Sequence, residues 1–152
     1  MIKETDLGKP SGISLIDHTQ HVDDEAKYIL GELDFLAKKY HRLTGGNLEK
    51  ELLIAVKYHD WGKAHPKWQN ACKADNELYR KWRVEKGYDP DELSADQHRE
   101  FEKDLRSKNI STGPNLMKSG LRHEFASLQL AKSQGEIYPL LFPQQLERIM
   151  EN

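Results

Sequence analysis

Apolar residues recur at three- and four-residue steps along the first third of the chain, which is the spacing of an amphipathic helix. Ser14 can cap this helix, and the Gly45-Gly46 pair is a typical stop signal. The apolar stripe consists of Leu15, Val22, Ala26, Ile29, Leu33, Leu36, Ala37 and Tyr40. The pattern therefore predicts one long helix that ends just before the glycine pair.

The next segment repeats this pattern over a shorter distance. Asn47 can cap a helix whose apolar face includes Leu52 and Val56, and Gly62 is expected to end it. This helix would carry His59 at its C-terminal end. A further short helix is predicted after Pro66, a residue that suits the first helical position.

The last third predicts more helix. A segment from about Ser119 to Ser133 has apolar or small residues on two faces, so we expect it to be buried on both. Pro139 and Pro143 bracket a turn, and a final helix begins at Gln144 without a C-terminal stop signal, as if the chain were cut short. No strand-like alternation interrupts these patterns, so the predicted fold class is all-α.

Two segments lack a clear apolar stripe. Residues 1–12 are rich in glycine, proline and serine or charged side chains and are predicted to be a flexible lead-in. Residues 75–118 are predicted to be a charged insertion, since 75–108 alone holds 18 of the 48 charged residues, and residues 112–115 form a loop. Residues 13–152 then make up a single domain around this insertion.

Composition narrows the class of protein. The chain has 152 residues, and its one cysteine excludes a disulfide framework and a cysteine-based zinc site. Its formal charge of −2 excludes a polybasic strip as the main binding surface for nucleic acid. The sequence has no long apolar run and no secretory signal at its start. We therefore expect a cytoplasmic protein that does not use the membrane.

The most informative chemistry lies in the stretch His59-Asp60-Trp61-Gly62-Lys63. A carboxylate at the inward end of a helix is costly unless it is paired, and a divalent cation resolves that cost because imidazole nitrogen and carboxylate oxygen are both good ligands. Asp60 can also bridge two ions, and Lys63 lies where an ammonium could meet an anionic substrate. These two residues are the candidate catalytic groups.

Two more histidines can join this site. His18 faces inward, about 60° from the centre of the first predicted stripe, and His123 shares a helix face with the small residues Ala126 and Ser127, which permit close packing. A hydrogen-bonded core role for His18 and a surface role for His123 remain alternatives. The other histidines are predicted to be surface residues: His21, His41, His65 and His98.

The aromatic and sulfur-containing side chains have a simpler interpretation. Cys72 is predicted to be a small core residue. Trp61, Trp68 and Trp82 could stack on bases, but without a basic groove around them a core role is favoured.

Three ordered blocks carry a family resemblance. They are SLIDHTQHV around His18, HDWGKAHPKWQ from His59 to Gln69, and GLRHEFASL from Gly120 to Leu128. Together they resemble the HD-superfamily nuclease domain of the CRISPR-associated helicase-nuclease of type I systems.

The resemblance implies a helical HD-superfamily domain that cleaves single-stranded DNA with the help of divalent metal ions. Its implied partners are a helicase domain and the RNA-guided surveillance complex that exposes the DNA. It also implies that His18, His59, Asp60 and His123 bind a metal pair and that Lys63 lies near the scissile phosphate.

The chain also departs from this family. Members continue to a paired-histidine motif and a last aspartate, whereas no His and no Asp follows His123 here. We therefore expect a nuclease domain that is incomplete at its C-terminal end and holds at most one ion, for which Mn²⁺, Co²⁺, Ni²⁺, Mg²⁺, Fe²⁺ and Zn²⁺ are all candidates.

Two alternatives stay open at this point. An HD phosphohydrolase acting on nucleotides or cyclic dinucleotides would use His18, His59, Asp60 and a metal in the same way. A catalytically inactive helical domain could instead dock a partner through residues 75–108.

Overall fold

A computed structural model describes residues 3–133 of the chain. Within that part the secondary structure is helical apart from one isolated bridge between Leu7 and Ser14, so the all-α prediction is confirmed. The helices are α1 Leu15–Glu32, α2 Asp34–Thr44, α3 Leu48–Tyr58, α4 Pro66–Glu85, α5 Ala95–Ser107, α6 Pro114–Ser119 and α7 His123–Ser133. A 3₁₀ turn, Trp61–Ala64, joins α3 to α4.

The first predicted helix is two helices, α1 and α2. Ser14 caps α1 as expected, because its hydroxyl accepts a hydrogen bond from the Asp17 amide. The helix then breaks at Leu33, whose backbone leaves the helical region at φ −116° and ψ 36°. The prediction was wrong here because the apolar spacing runs through the break, while Ile29 and Leu36 on the predicted inward stripe are exposed.

Both predicted start signals of the central helices are confirmed. The Asn47 side chain accepts a hydrogen bond from the Lys50 amide at the start of α3, and Pro66 occupies the first turn of α4. However, α3 ends at Tyr58 and not at Gly62, because the chain tightens into the 3₁₀ turn. The helix after Pro66, predicted to be short, has 20 residues.

The length of α4 changes the interpretation of the charged segment. No boundary falls at residue 75, since 75–85 forms the second half of α4, and α5 folds back against it. The buried apolar residues of this hairpin form one cluster: Tyr79, Trp82, Phe101 and Leu105. This cluster is hard to recognise in the sequence because charged residues on the outer faces of both helices stand between its members.

His98 belongs to the same hairpin and corrects another prediction. It was expected at the surface, but it is half-buried and meets the Tyr79 ring edge-on, with ring centroids 5.0 Å apart. Burial lowers the pKa of His98, and the nearby Lys9 lowers it further, whereas Glu102 opposes both effects. His98 is therefore a packed side chain of α5.

The short helix α6 occupies part of the predicted loop over 112–115. Its N-terminal amides are capped by a residue of α4, since the buried Asp75 carboxylate accepts hydrogen bonds from the amides of Asn115 and Leu116, each at 3.0 Å. Sequence-local signals cannot reveal a cap supplied by a residue 40 positions away. Asp75 thus ties α6 to the middle of α4.

Helix α7 begins at His123 and not near Ser119, because Gly120 adopts φ 64° and ends α6. Its buried face includes Ser127 and Ala131. Leu128 and Leu130 are 53% and 41% exposed, so the expectation of burial on two faces is wrong. The predicted proline turn and final helix beyond Ser133 lie outside the described residues.

Residues 3–12 differ from the flexible lead-in that their composition predicts. The Asp6 carbonyl accepts a hydrogen bond from the Leu15 amide at 2.7 Å, and the Asp6 side chain is buried. The Asn76 amide of α4 donates to the Pro10 carbonyl at 2.8 Å. This N-terminal strap, residues 3–14, therefore lies against α1 and α4.

Candidate metal centre

The centre is built around Asp60, which follows α3 and immediately precedes the 3₁₀ turn. Its carbonyl accepts the Lys63 amide at 2.8 Å, and this hydrogen bond closes the turn. Asp60 as a whole is only 4% exposed. The turn thus holds a carboxylate in the interior, where it requires compensating partners.

Three histidines supply such partners. The Nε2 atoms of His18 and His59 lie 2.8 Å and 3.1 Å from Oδ2 of Asp60, and Nε2 of His123 lies 3.2 Å from Oδ1. The predicted convergence of His18, His59 and Asp60 is therefore confirmed, and the three imidazoles come from α1, from the residue that follows α3, and from α7. The two oxygens of Asp60 face different sides of the site.

Lys63 adds a positive charge at the same carboxylate. Its ammonium donates a hydrogen bond to Oδ2 of Asp60 at 2.7 Å, and the residue is buried. The Nζ atom also lies 5.6 Å from the centroid of the Trp68 ring. Both residues predicted to be catalytic thus touch each other.

These contacts set the protonation of the site. Burial alone would raise the pKa of Asp60, but the hydrogen bond and the charge of Lys63 outweigh it, and the net pKa lies below its usual value. Burial lowers the pKa of His18, and the charge of Lys63 lowers it further. A carboxylate beside a neutral imidazole is a pair of donors that suits a metal ion.

The tautomer of His59 points in the same direction. Its Nδ1 lies 2.5 Å from the Val56 carbonyl oxygen, which can only accept, so Nδ1 carries the proton of the neutral ring. The Nε2 lone pair of that ring then faces Oδ2 of Asp60, another acceptor. The pair cannot make a hydrogen bond in this form, and a shared cation satisfies both atoms.

The donor set fits a divalent ion. One ligand atom from each of His18, His59 and Asp60 lies within 4.8 Å of the other two. Two imidazole nitrogens and a carboxylate oxygen are suitable for Zn²⁺, Fe²⁺, Mn²⁺, Co²⁺ or Ni²⁺. This group could therefore hold one metal ion.

Ser127 locks the turn to α7 and was not among the predicted site residues. Its hydroxyl accepts a hydrogen bond from the Gly62 amide at 2.7 Å and donates one to the His59 carbonyl at 3.0 Å. A side chain at Gly62 would collide with α7, since an added Cβ would lie 1.9 Å from the His123 carbonyl oxygen. The sequence signal was present as the small residues Ala126 and Ser127 about one helical turn after His123, which predicted close packing but not this hydrogen bonding.

Gln69 is the second residue that the sequence did not reveal as part of the site. Its buried amide exchanges two hydrogen bonds of 2.9 Å with the Leu7 backbone and donates a third, also 2.9 Å, to the Lys63 carbonyl. Gly8 in the same strap allows close approach to α1, because an added Cβ would lie 2.8 Å from Cβ of His18. The N-terminal strap therefore helps to position both His18 and Lys63.

The remaining predictions concern the burial of histidine, cysteine and tryptophan side chains around the site. His21, His41 and His65 are exposed as expected, although the His65 side chain also caps α4. Cys72, Trp68 and Trp82 are buried, which confirms their core role, and burial raises the pKa of the Cys72 thiol to about 12. Trp61 is only half-buried.

Comparisons with known proteins add no family assignment. None of the helices in the part that the structure describes is long and apolar enough to cross a membrane. No protein-family model, no curated protein and no solved structure matches this chain.

Proposed function

We propose that this chain is a metal-dependent nuclease domain of the HD superfamily that hydrolyses phosphodiester bonds in single-stranded DNA. The observation that carries the proposal is the convergence of His18 and His59 on one oxygen of Asp60, with the Lys63 ammonium beside them. By the family resemblance, we further propose that the activity serves a type I CRISPR interference complex, with a helicase domain and an RNA-guided surveillance complex as partners.

Each residue has a defined task in this proposal. A divalent ion would be held by His18, His59 and Asp60. When bound, it would supply Lewis-acid polarisation of a phosphoryl oxygen and a lowered pKa for a water molecule. Lys63 provides a buried ammonium that offsets negative charge developing on the phosphate. His123, on the second oxygen of Asp60, fixes the orientation of the carboxylate.

The test combines metal binding with cleavage. We expect the chain to bind Mn²⁺ in calorimetric titration and to cut a single-stranded oligonucleotide in Mn²⁺ but not in EDTA. Asp60→Asn removes the charge that all four partners surround. Mn²⁺ affinity and cleavage rate should therefore each fall by about a hundredfold or more, because loss of a residue that only hydrogen-bonds to a metal ligand already costs up to about a hundredfold. The matched control is Asp96→Asn on α5, whose carboxylate is highly exposed.

Substrate competition decides the class of reaction. Nucleoside phosphates and cyclic dinucleotides should be poor substrates next to single-stranded DNA. Turnover of these small molecules alone would contradict the proposal, as would cleavage of DNA that survives in Asp60→Asn.

A further inference from the structure

A pocket of about 750 Å³ lies between the 3₁₀ turn and α7. The residues that line it include Trp61, Ala64, His65, Leu121, Arg122 and Ala126. Its walls adjoin the metal centre along the chain, since Trp61 follows Asp60 and Arg122 precedes His123. Residues that are adjacent in the chain thus line the pocket and the centre.

The lining has the chemistry of a nucleotide site. Leu121, Ala64 and Ala126 give apolar walls, while Arg122 supplies positive charge and His65 supplies a hydrogen-bond donor. Among the residues that the structure describes, none that lines the pocket is acidic, although acidic residues outnumber basic ones in the chain by 25 to 23. An apolar interior with a cationic rim favours a flat, uncharged ring that is attached to an anion.

Trp61 provides the flat surface for such a ring. It packs against Tyr58, with centroids 4.5 Å apart, and Lys57 lies 6.0 Å from its ring. These contacts hold the indole in place before a ligand arrives. Trp68 and Trp82 are only 5% and 6% exposed, so a base cannot reach their rings. Trp61 is half-buried and is, among the described residues, the tryptophan on which a base can stack.

His65 and Arg122 provide the donors. Nδ1 of His65 accepts a hydrogen bond from the Lys67 amide at 3.1 Å, so the neutral ring carries its proton on Nε2. That Nε2–H group can donate to a phosphate oxygen at the pocket rim. The exposed Arg122 adds a guanidinium, which binds phosphate in a bidentate fashion.

We propose that this pocket binds a nucleotide next to the scissile phosphate, with its base stacked on Trp61 and its phosphate bound by Arg122. The inference rests on the proposed nuclease function and names the substrate class more closely. A base can enter only when it is unpaired and turned out of a stack, so the pocket selects single-stranded over double-stranded DNA.

The test measures DNA binding without metal. A fluorescent twelve-nucleotide oligothymidylate in EDTA reports the dissociation constant by anisotropy. Trp61→Leu should weaken binding about tenfold, within the range for loss of one stacked base, and Trp61→Phe should restore most of the affinity. Arg122→Gln should lower the slope of log affinity against log salt by about 0.7, the value for one phosphate contact on a single strand.

Controls separate this effect from misfolding. Arg106→Gln on the exposed face of α5 should change neither affinity nor slope. The thermal midpoint and Mn²⁺ affinity of the pocket variants should equal those of the wild type. If Trp61→Leu does not fold, the salt slope of the exposed Arg122→Gln variant decides.

The two proposals fail in different ways. Unchanged affinity and slope in the pocket variants, with Mn²⁺-dependent cleavage by the wild type intact, would overturn the nucleotide pocket and leave the nuclease function standing. The same negative result would follow if the pocket received a polypeptide. Weakened binding in both variants, with no cleavage by the wild type, would support the pocket and overturn the nuclease function.

Discussion

Asp60 gathers partners because its carboxylate is buried, and Lys63 is the partner that balances its charge. The side chains are 5% and 10% exposed, so solvent screens the pair little. In the absence of metal the ammonium stands in for a cation at Oδ2 of Asp60. Its contribution to folding and its competition with an ion can therefore be measured together.

We predict that Lys63→Met lowers the metal-free unfolding free energy by about 3 kcal/mol, the loss typical of a broken buried ion pair. Mn²⁺ should then raise the thermal midpoint more in the variant than in the wild type, because the ion no longer competes with the ammonium. Calorimetric scans with and without Mn²⁺ measure both quantities. The control Lys67→Met changes an exposed lysine on the next helix; equal Mn²⁺ effects in wild type and Lys63→Met would refute the competition.

Gly62 shows how one missing side chain permits the site to form. We predict that Gly62→Ala destabilises the fold by about 2 kcal/mol or more, because the new methyl group meets the His123 backbone and not a flexible side chain. Gly31→Ala should have the opposite effect and stabilise by up to about 1 kcal/mol, since nothing lies within 4 Å of its added Cβ inside α1.

Urea unfolding of the two glycine variants gives this comparison directly. Mn²⁺ affinity should fall in Gly62→Ala, because displacement of α7 moves His123, and should be unchanged in Gly31→Ala. A stable Gly62→Ala protein with normal Mn²⁺ affinity would show that α7 is not needed at the turn.

At the scale of elements, the hairpin of α4 and α5 has its own aromatic core and its own response to pH. Burial holds the pKa of His98 below its usual 6.5, so the folded state binds this proton less readily than the unfolded state. As the pH falls below about 6.5, the unfolded chain takes up the proton first, and the unfolding free energy decreases.

We predict that His98→Gln flattens this acid dependence between pH 6.5 and pH 5, as measured by urea unfolding at several pH values. The matched control is His41→Gln, whose ring is exposed on α2. His18 also has a lowered pKa, so the difference between His98→Gln and the wild type isolates the hairpin. Parallel pH curves for the two proteins would mean that His98 is not the responsible group.

At the scale of the whole molecule, local patterns predicted the helices and the residues of the candidate metal centre better than their packing. Capping by Ser14 and Asn47 follows from neighbouring amides, which a sequence displays. The convergence of His18 with His59 also follows, because two inward stripes must share one core. The break at Leu33 could not be predicted, since no proline or glycine at that position marks it.

Hydrogen bonds between residues that are distant in the sequence could not be predicted either. Asp75 caps a helix 40 positions away, and Gln69 pairs with Leu7 over 62 positions. Nothing in the neighbouring sequence distinguishes these side chains from ordinary surface residues. The same reason explains why Ser127 was predicted only to allow close packing.

The hydrogen bonds of Ser127 join residues 65 and 68 positions apart, and this separation has a kinetic consequence. Contacts between distant residues tend to form late in folding, after hairpins such as α4 and α5. Ser127→Ala should therefore speed unfolding about tenfold, for a loss of about 1.5 kcal/mol, while the refolding rate stays the same. Stopped-flow chevrons measure both rates, and a slower refolding arm would place the closure of the site in the transition state. If the site forms late in folding, bound Mn²⁺ slows unfolding and so lengthens the lifetime of the folded chain, but it does not raise the folding rate.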